Sequence, residues 1–381
     1  MKVLQVNASY KPAYIYGGPT MSVSKLSEQL AAAGCTVEVF TTTANGAGEL
    51  PVEPGKPVDI DGVKVTYFKR LTKDHSHFSP ALLRHLWREV MKFDVVHIHA
   101  WWNTVSVLSC QIAILRGKPV VISPRGTLSA YSFTNKNSFS KKLMHTLLGK
   151  RLLKRSFIHV TSQRERQAME KLVTPERIYE IPNFVALPDD LPLAGNGDNR
   201  FLKLLFFSRI EEKKGLEILF DALKNIAIPY RLTIAGDGEP AYVGRLKTLA
   251  KKKNIDGFID WIGFRGADKF NVLAEHDLMA LPSYDENFGN VVIESLAVGT
   301  AVLISDKVGL AGYVIENDLG WISEHNAASF ADSISAIWEN REQLERIRKH
   351  APAKIRNDFD DEHLTQRYIG MYDQIIGNGR I

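Results

Sequence analysis

Two glutamates on either side of a turn are the residues best placed for chemistry. Glu286 and Glu294 belong to the run ENFGNVVIES, which follows a short apolar strand near Asp277–Leu281. Gly289 lies inside the turn, and an amphipathic helix is predicted from about Asn290. A helix N-terminus presents unpaired amides and a partial positive charge, so it favours a phosphate between two carboxylates that bind hydroxyls. This pattern predicts a sugar nucleotide as ligand, with the phosphate bound near the candidate residues Asn287, Phe288, Gly289, Asn290 and Val291.

Basic residues follow a second predicted strand, LKLLFF at Leu202–Phe207. Arg209 comes at the end of this strand, and Lys213, Lys214 and Gly215 are expected to open the next helix. A planar arginine fork and a mobile lysine charge together suit a diphosphate. A solvated basic turn explains an isolated Lys-Lys-Gly equally well, but the nearby Glu286 segment favours the ligand site.

Together these motifs resemble the retaining glycosyltransferases of family 4. The resemblance rests on Arg209-x4-Lys214-Gly215, on Glu286-x7-Glu294 with Phe288-Gly289, and on SLAVGTAV at 295–302. It implies the α/β fold called GT-B, in which two doubly wound Rossmann-like domains face a central cleft. It also implies that Arg209 and Lys214 neutralise the leaving diphosphate, that Glu286 holds the donor sugar, and that Glu294 holds the ribose.

Composition is that of a globular protein with two domains. The chain has 381 residues, of which 45% are hydrophobic and 24% charged, with a net charge of +5. No apolar run reaches membrane-spanning length and the N-terminus enters a strand directly, so we expect neither a transmembrane helix nor a signal peptide. Two cysteines, Cys35 and Cys110, are too few for a disulfide framework, and we expect a cytoplasmic protein.

Alternating apolar strands and helices predict a parallel sheet in each half. A stretch rich in Pro, Gly and Asn, at about 183–199, predicts the boundary between the halves. We therefore expect an acceptor-binding domain at 1–190 and a nucleotide-sugar-binding domain at 199–358. The resemblance implies that a terminal helix within 359–381 crosses back to the first domain.

A basic segment at 136–155 has two interpretations. It carries seven Lys and Arg residues and a stripe of Phe and Leu, without an acidic residue. One interpretation is a solvated helix packed on its domain. The other is an amphipathic surface that rests on anionic lipid and places the protein peripherally on the inner membrane face, near a lipid-linked acceptor. Nucleic acid is disfavoured because no aromatic residues are interleaved with the basic ones in a nucleic-acid-binding motif.

Glycine-rich turns supply further candidates. Gly17 and Gly18 precede a helix expected from about Thr20, where the backbone can approach phosphate. The run AGDG at 235–238 matches a dinucleotide fingerprint, but it follows the second strand of its domain, which argues against nicotinamide binding. The resemblance instead places Gly236 and Asp237 near the donor nucleotide, and Ile262 and Gly263 near its base.

The first half also contains a departure from the family pattern. His99 ends a strand beside two tryptophans and is predicted to lie on the acceptor side. Where many family members have His-Gly, this chain has Arg125-Gly126. The resemblance implies that Arg125 lies near the reacting carbon of the transferred sugar. Arginine cannot act as a general base there, but it can steady negative charge on the donor or the acceptor.

These residues lead to one functional hypothesis and three rivals. The hypothesis is transfer of a hexose from a nucleoside diphosphate sugar, with UDP-hexose as the expected donor, to a glycan or lipid-linked saccharide in polysaccharide biosynthesis, with retained configuration. No Asp-x-Asp occurs in the runs 202–215 and 277–302 that carry the basic residues and the glutamates, so basic residues and the helix dipole are expected to replace a metal, and no cofactor is expected. The rivals are a glycoside hydrolase with Glu286 and Glu294 as acid and base, a nucleotide-sugar epimerase, and a catalytically silent sugar-binding protein.

Overall fold

The computed structural model describes residues 1–134, 145–195 and 200–378. These residues form two compact units. The first comprises Met1–Ala186 together with the C-terminal segment that begins at Asp361, and the second comprises Leu187–Asp360.

An eight-stranded sheet forms the centre of the first unit, in the order β10-β9-β8-β7-β1-β2-β6-β5. Its strands are parallel except β5, which pairs antiparallel with β6, while β3 and β4 form a separate hairpin. The strands are β1 (Lys2–Val6), β2 (Thr36–Thr42), β3 (Ala44–Asn45), β4 (Gly48–Glu49), β5 (Pro57–Ile60), β6 (Val63–Phe68), β7 (Val95–His99), β8 (Val120–Ser123), β9 (Phe157–Val160) and β10 (Arg177–Glu180).

Helices connect these strands. Three of the helices begin at a residue whose side chain accepts a hydrogen bond from the first turn, namely Ser79, Asn103 and Ser162. The helices of this part are α1 (Gly18–Ala32), α2 (Pro80–Glu89), α3 (Thr104–Leu115), α4 (Ala130–Thr134), α5 (Lys150–Lys154) and α6 (Gln163–Leu172).

The second unit contains a six-stranded parallel sheet, in the order β13-β12-β11-β14-β15-β16. The chain leaves β11 in one direction and returns to its other side at β14, so a topological switch point lies between these two strands. The strands are β11 (Leu202–Phe207), β12 (Tyr230–Ala235), β13 (Ile259–Gly263), β14 (Leu278–Leu281), β15 (Ala301–Ser305) and β16 (Gly320–Ser323). The helices are α7 (Leu216–Lys224), α8 (Pro240–Lys252), α9 (Lys269–Ala274), α10 (Asn290–Ala297), α11 (Ala311–Glu316), α12 (Ala327–Glu339) and α13 (Arg341–Asp358).

A final helix, α14 (Asp361–Asn378), packs into the core of the first unit. Its buried residues recur at helical spacing on one face, which explains why the helix covers the sheet. Asp361 at its start pairs with Lys25 of α1 at 2.7 Å. The buried hydrophobic residues of this helix are Leu364, Tyr368, Met371, Tyr372 and Ile375.

Several local features differ from the sequence-based expectations. Helix α1 begins at Gly18 rather than near Thr20, and Gly17 caps it with φ +67°. The segment 44–62, which is rich in Gly and Pro, contains β3, β4 and β5. The basic segment 136–155 is described only in part, because residues 136–144 lie outside the described residues. Within the described ranges, every helix is too short or too polar to traverse a bilayer.

Candidate functional site

A tight contact between two loops of the second unit positions Lys214. The turn after β11 includes a 3₁₀ segment, Glu212–Lys214, and ends at Gly215, whose φ is +70°. Lys214 therefore precedes the helix rather than opening it. A Cβ atom on Gly215 would lie 2.1 Å from the carbonyl oxygen of Pro282, so only glycine fits where this turn meets the loop after β14.

This loop contact brings the basic turn and the first glutamate together. Lys214 Nζ forms an ion pair with Glu286, although the two residues are 72 positions apart. Lys213 Nζ lies 3.1 Å from the buried Asp285 carboxylate, and the Tyr284 amide donates to the Lys213 carbonyl at 2.9 Å. Two parallel lysine–carboxylate pairs thus join the loops at the carboxyl ends of β11 and β14, beside the topological switch point.

Arg209 occupies a different environment from Lys214. Its Nη1 atom lies 2.8 Å from Glu211, and the two side chains are 58% and 43% exposed. An ion pair this accessible is weak, because water competes for both charges. The Arg209 guanidinium is therefore available to an incoming anion.

The turn before α10 is held by its backbone. The Glu286 amide donates to the Lys307 carbonyl at 3.1 Å, and the Gly309 amide donates to the Glu286 carbonyl at 2.8 Å. Gly289 caps α10 with φ +92°, a conformation that favours glycine. Buried Phe288 packs against Phe359. The Val292 amide donates to the Gly289 carbonyl at 2.8 Å, and the N-terminal end of α10 carries the partial positive charge that favours an anion.

Beyond this turn, Asn287 is partly buried before the helix, and Asn290 and Val291 form its first turn. Glu294 lies one turn further along α10 and pairs with Lys269 of α9 at 2.8 Å. Lys269 is a residue that the sequence reasoning missed. Because the Glu294 carboxylate already has a cationic partner, a ribose that binds there must share it.

The glycines of AGDG have a packing role. Gly236 has φ +145°, and a Cβ atom there would lie 1.9 Å from the Ser208 carbonyl oxygen. A Cβ on Gly238 would lie 2.1 Å from the Ile210 carbonyl oxygen. The Ile210 amide donates to the Asp237 carbonyl at 2.8 Å. These contacts explain the fingerprint spacing without a bound dinucleotide.

One more backbone bond fastens the next loop, from the Gly236 amide to the Gly263 carbonyl at 2.8 Å. Ile262 and Gly263 end β13, and the exposed Asp237 approaches Gly263 through its carboxylate. The loops after β11, β12 and β13 therefore form one continuous edge, at which Arg209, Gly236, Asp237, Ile262 and Gly263 lie.

In the first unit, Gly17 and Gly18 follow β1 and begin α1. The space around a Cβ on Gly17 is open, so its glycine is required by φ +67° rather than by crowding. Gly18 is exposed in the first turn of the helix. This turn leaves room for a ligand group at the N-terminus of α1.

A buried chain of hydrogen bonds starts at Arg125, just after β8. Arg125 Nε donates to His99 Nδ1 at 3.2 Å, and His99 Nε2 contacts Gln5 Oε1 at 2.7 Å. Gln5 Nε2 donates to the Tyr372 hydroxyl of α14 at 3.4 Å. Because arginine can only donate, His99 must accept at Nδ1 and carry its proton on Nε2.

The chain continues through His97 along the same face of the sheet, from β7 to β8 and β9. Tyr372 contacts His97 Nδ1 at 2.7 Å, and His97 Nε2 lies 2.6 Å from the Ser123 hydroxyl. Ser123 in turn contacts His159 Nδ1 at 2.6 Å, and His159 Nε2 ends the chain at the Ile181 carbonyl, 2.9 Å away. A donor at one end and an acceptor at the other force every bond to run in the same direction.

This direction requires three neutral histidines. Burial lowers the pKa of His97 and of His99 well below the usual value, and burial with the Arg125 charge lowers the pKa of His159 to about 3. The ring nitrogens of His97 both have hydrogen-bond partners within the chain. The fold therefore holds His97 in place, and His99 supports Arg125.

Arg125 itself adopts φ +51°, a left-handed conformation unusual for a residue with a side chain. Its Nη1 donates to Asn183 Oδ1 at 2.7 Å. Glu165 lies nearby and accepts from the Gly126 amide at 2.8 Å and from the Thr161 amide at 2.9 Å. Burial lowers the pKa of Arg125, although Tyr368 and Glu165 oppose the shift.

The sequence reasoning missed several of these supporting residues. Gln5 interrupts an apolar strand, and Asn183 lies in a stretch interpreted only as a boundary. Buried Glu165 lies in the helix that follows β9. Polar residues inside or just after strands that are otherwise apolar are the signal that predicts such positions.

Comparison with known proteins agrees with this architecture. Residues 16–187 match glycosyltransferase family 4, and residues 195–354 match the family described as glycosyl transferases group 1. The phosphatidyl-myo-inositol mannosyltransferase of Mycobacterium tuberculosis is 26% identical over 318 residues, which cover 79% of this chain and 80% of that protein. The D-inositol 3-phosphate glycosyltransferase of Pseudarthrobacter chlorophenolicus is 23% identical, over 85% of this chain and 82% of that protein.

Solved structures show the same fold over almost the full length. Sucrose-phosphate synthase from Thermosynechococcus elongatus superposes with a TM-score of 0.77 at 19% identity, and covers 99% of this chain and 100% of its own. The Anabaena protein HepE in complex with UDP-glucose gives a TM-score of 0.74 at 20% identity, with 98% and 100% covered. The family resemblance and the predicted fold class are therefore confirmed: the chain is a glycosyltransferase of family 4 with the GT-B fold.

Proposed function

We propose that this glycosyltransferase moves a hexose from UDP-hexose to a glycan or lipid-linked saccharide, with retained anomeric configuration. The observation that carries the proposal is the Lys214–Glu286 ion pair. It lies at the carboxyl ends of β11 and β14, beside the N-terminus of α10. This arrangement presents a cation, a hydroxyl acceptor and helix amides to one ligand.

The role of each residue follows from its charge. Lys214 and Arg209 neutralise the diphosphate as it leaves, together with the first amides of α10. Glu286, released from Lys214 when phosphate takes that cation, accepts hydrogen bonds from the hexose. Glu294 accepts from the ribose while Lys269 keeps the carboxylate oriented.

The nucleotide and the acceptor are supported by the relatives. HepE of Anabaena was solved with UDP-glucose, and two curated relatives act on inositol-containing acceptors, one of them a lipid. The two cations and the helix N-terminus can balance the diphosphate charge, so we propose that the reaction proceeds without a metal or other cofactor.

Calorimetry with UDP, GDP, UDP-glucose and UDP-galactose tests the donor assignment. We expect UDP and one UDP-hexose to bind. GDP should bind at least about tenfold more weakly, a difference of about 1.4 kcal/mol, because guanine would lose the hydrogen bonds that the site makes to uracil. Absence of heat with every uridine ligand, on folded protein, would overturn the proposal.

The stereochemical part needs its own measurement. The product formed from an α-linked UDP-hexose should show an α-linkage in the proton NMR spectrum. A β-linked product would contradict retention but leave the donor assignment intact. Activity that persists in EDTA and is not raised by Mg²⁺ or Mn²⁺ is the result expected for metal independence.

A further inference from the structure

We propose that Arg125 is an anion receptor and that the acceptor saccharide therefore carries a carboxylate or a phosphate. The inference rests on the proposed transferase function and adds the chemical class of the acceptor. It starts from the hydrogen-bonding capacity of one guanidinium group.

Arginine has five N–H donors, and the fold uses two of those of Arg125. Nε donates to His99 and Nη1 donates to Asn183. Among the residues that the structure describes, Nη2 has no hydrogen-bond partner, and no carboxylate lies within ion-pair distance of this guanidinium. Arg125 is partly buried, and three N–H donors of its guanidinium have no partner among the described residues.

The surroundings hold the side chain in place without neutralising it directly. His97, His99 and His159 are neutral, because the directed chain gives each of them one proton. Glu165 is the nearby carboxylate, but its two oxygens accept from the Gly126 amide and from Thr161. Glu165 therefore balances the Arg125 charge without a direct ion pair to the guanidinium.

Backbone strain at this point indicates that the position of the guanidinium matters. Arg125 has φ +51°, and Ala100, which follows His99, has φ +62°. A left-handed conformation is unfavourable for a residue with a Cβ, and it persists where the surroundings enforce it. Here the neighbouring loops after β7 and β8 both carry such a residue, at the carboxyl edge of the sheet where α/β folds bind ligands.

The donor diphosphate is a poor candidate for this anion. Arg209 and Lys214 of the second unit already provide two cations beside a helix N-terminus, which match the charge of a diphosphate. Arg125 is a third cation in the other unit, so it indicates a further negative group. A planar fork with free N–H donors is complementary to the oxyanion of a uronic acid or of a phosphorylated sugar.

Binding of matched saccharides to the full-length protein tests the proposal. The probes are methyl β-D-glucuronide, glucose 6-phosphate and methyl β-D-glucoside, titrated by NMR with and without saturating UDP. We expect the wild type to bind at least one anionic probe about tenfold or more tighter than the glucoside, which is the worth of one charge-assisted hydrogen bond. A preference for the glucuronide indicates a carboxylate acceptor, and a preference for glucose 6-phosphate indicates a phosphate.

Variants decide whether Arg125 causes the preference. Arg125→Gln should bind all three probes within about threefold of one another, whereas Arg125→Lys should keep part of the preference because it keeps the charge but not the fork. Arg84→Gln, at an exposed position of the same unit, is the matched control and should behave as wild type. Thermal unfolding that matches the wild type shows that Arg125→Gln is folded, and unchanged UDP affinity shows that its donor site is intact.

Three results would overturn the proposal: equal binding of anionic and neutral probes by the wild type, no binding of any probe, or an anion preference that survives in Arg125→Gln. Loss of UDP affinity in Arg125→Gln without a change in probe binding would assign Arg125 to the donor and also overturn it. Failure of wild-type protein to bind UDP is a separate outcome, because the probe titrations without nucleotide do not depend on the donor.

Discussion

The two units place polar groups at the carboxyl edges of their sheets in opposite ways. In the second unit, the partly exposed side chains of Lys214 and Glu286 form an ion pair with each other. In the first, His97 and His99 are neutral, buried and linked in a hydrogen-bonded chain. The difference teaches that a site for a charged ligand needs exchangeable ion pairs, while a site that orients one cation needs partners that do not exchange.

The largest expected effect of this contrast is on acid stability. Burial depresses the folded-state pKa of His97, His99 and His159, so unfolding takes up protons below the unfolded value of about 6.5. The first unit should therefore be most stable above pH 6.5 and lose on the order of several kcal/mol as the pH falls towards 3.

Hydrogen exchange, corrected for the intrinsic rate, measures this loss within the molecule. The free energy of opening at β7 should fall between pH 7 and 5, and fall less at β14, whose unit has His276 with a lowered pKa beside it. Exposed His350→Gln is a control that should not alter either profile. A flat profile at β7 would break the comparison.

In the second unit, the largest effect should come from Lys214→Ala. Removal of this cation leaves the departing diphosphate less stabilised, and we expect kcat/KM to fall by about 10²–10³-fold. Lys224→Ala, at an exposed position of α7, is the matched control. Thermal unfolding should show both variants folded, and full activity in Lys214→Ala would refute its role.

A smaller effect is expected at the tyrosine that joins α14 to the buried chain. Tyr372→Phe removes the partner of His97 Nδ1 and of Gln5 Nε2, which should cost about 1–3 kcal/mol of unfolding free energy. Tyr179→Phe is the control, because among the described residues its hydroxyl has no hydrogen-bond partner. Chemical denaturation compares the two, and equal stabilities would mean that the chain does not stabilise this unit.

The smallest effect should follow from Glu211→Gln. Its ion pair with Arg209 is exposed, so we expect less than about 1 kcal/mol of change in unfolding free energy. UDP affinity should stay equal or rise slightly, since Arg209 loses a competing carboxylate. A weakened UDP affinity in calorimetry would show that Glu211 orients Arg209 for the ligand and does not compete with the ligand for it.

Sequence patterns were sufficient for the parts of the fold that depend on local chemistry. The apolar runs of β1, β7, β11 and β15 predict buried parallel strands, and Gly289 followed by α10 is predicted within a residue. The sequence patterns did not predict the edge strands β5 and β10, because these strands are short and half polar. Their stability comes from neighbouring strands, which periodicity does not record.

By itself the sequence determined which residue types stand at the ends of strands, including Arg209, Glu286, His99 and Arg125. Tertiary structure alone decided which residues become partners. Lys214 pairs with Glu286, 72 positions away in the sequence, and Tyr372 bonds to His97, 275 positions away. It also decided that Gly236 and Gly238 pack against the loop after β11. The physical reason is that strand and helix periodicity is set within a few residues, whereas ion pairs and close backbone approaches depend on which loops the sheet order brings together.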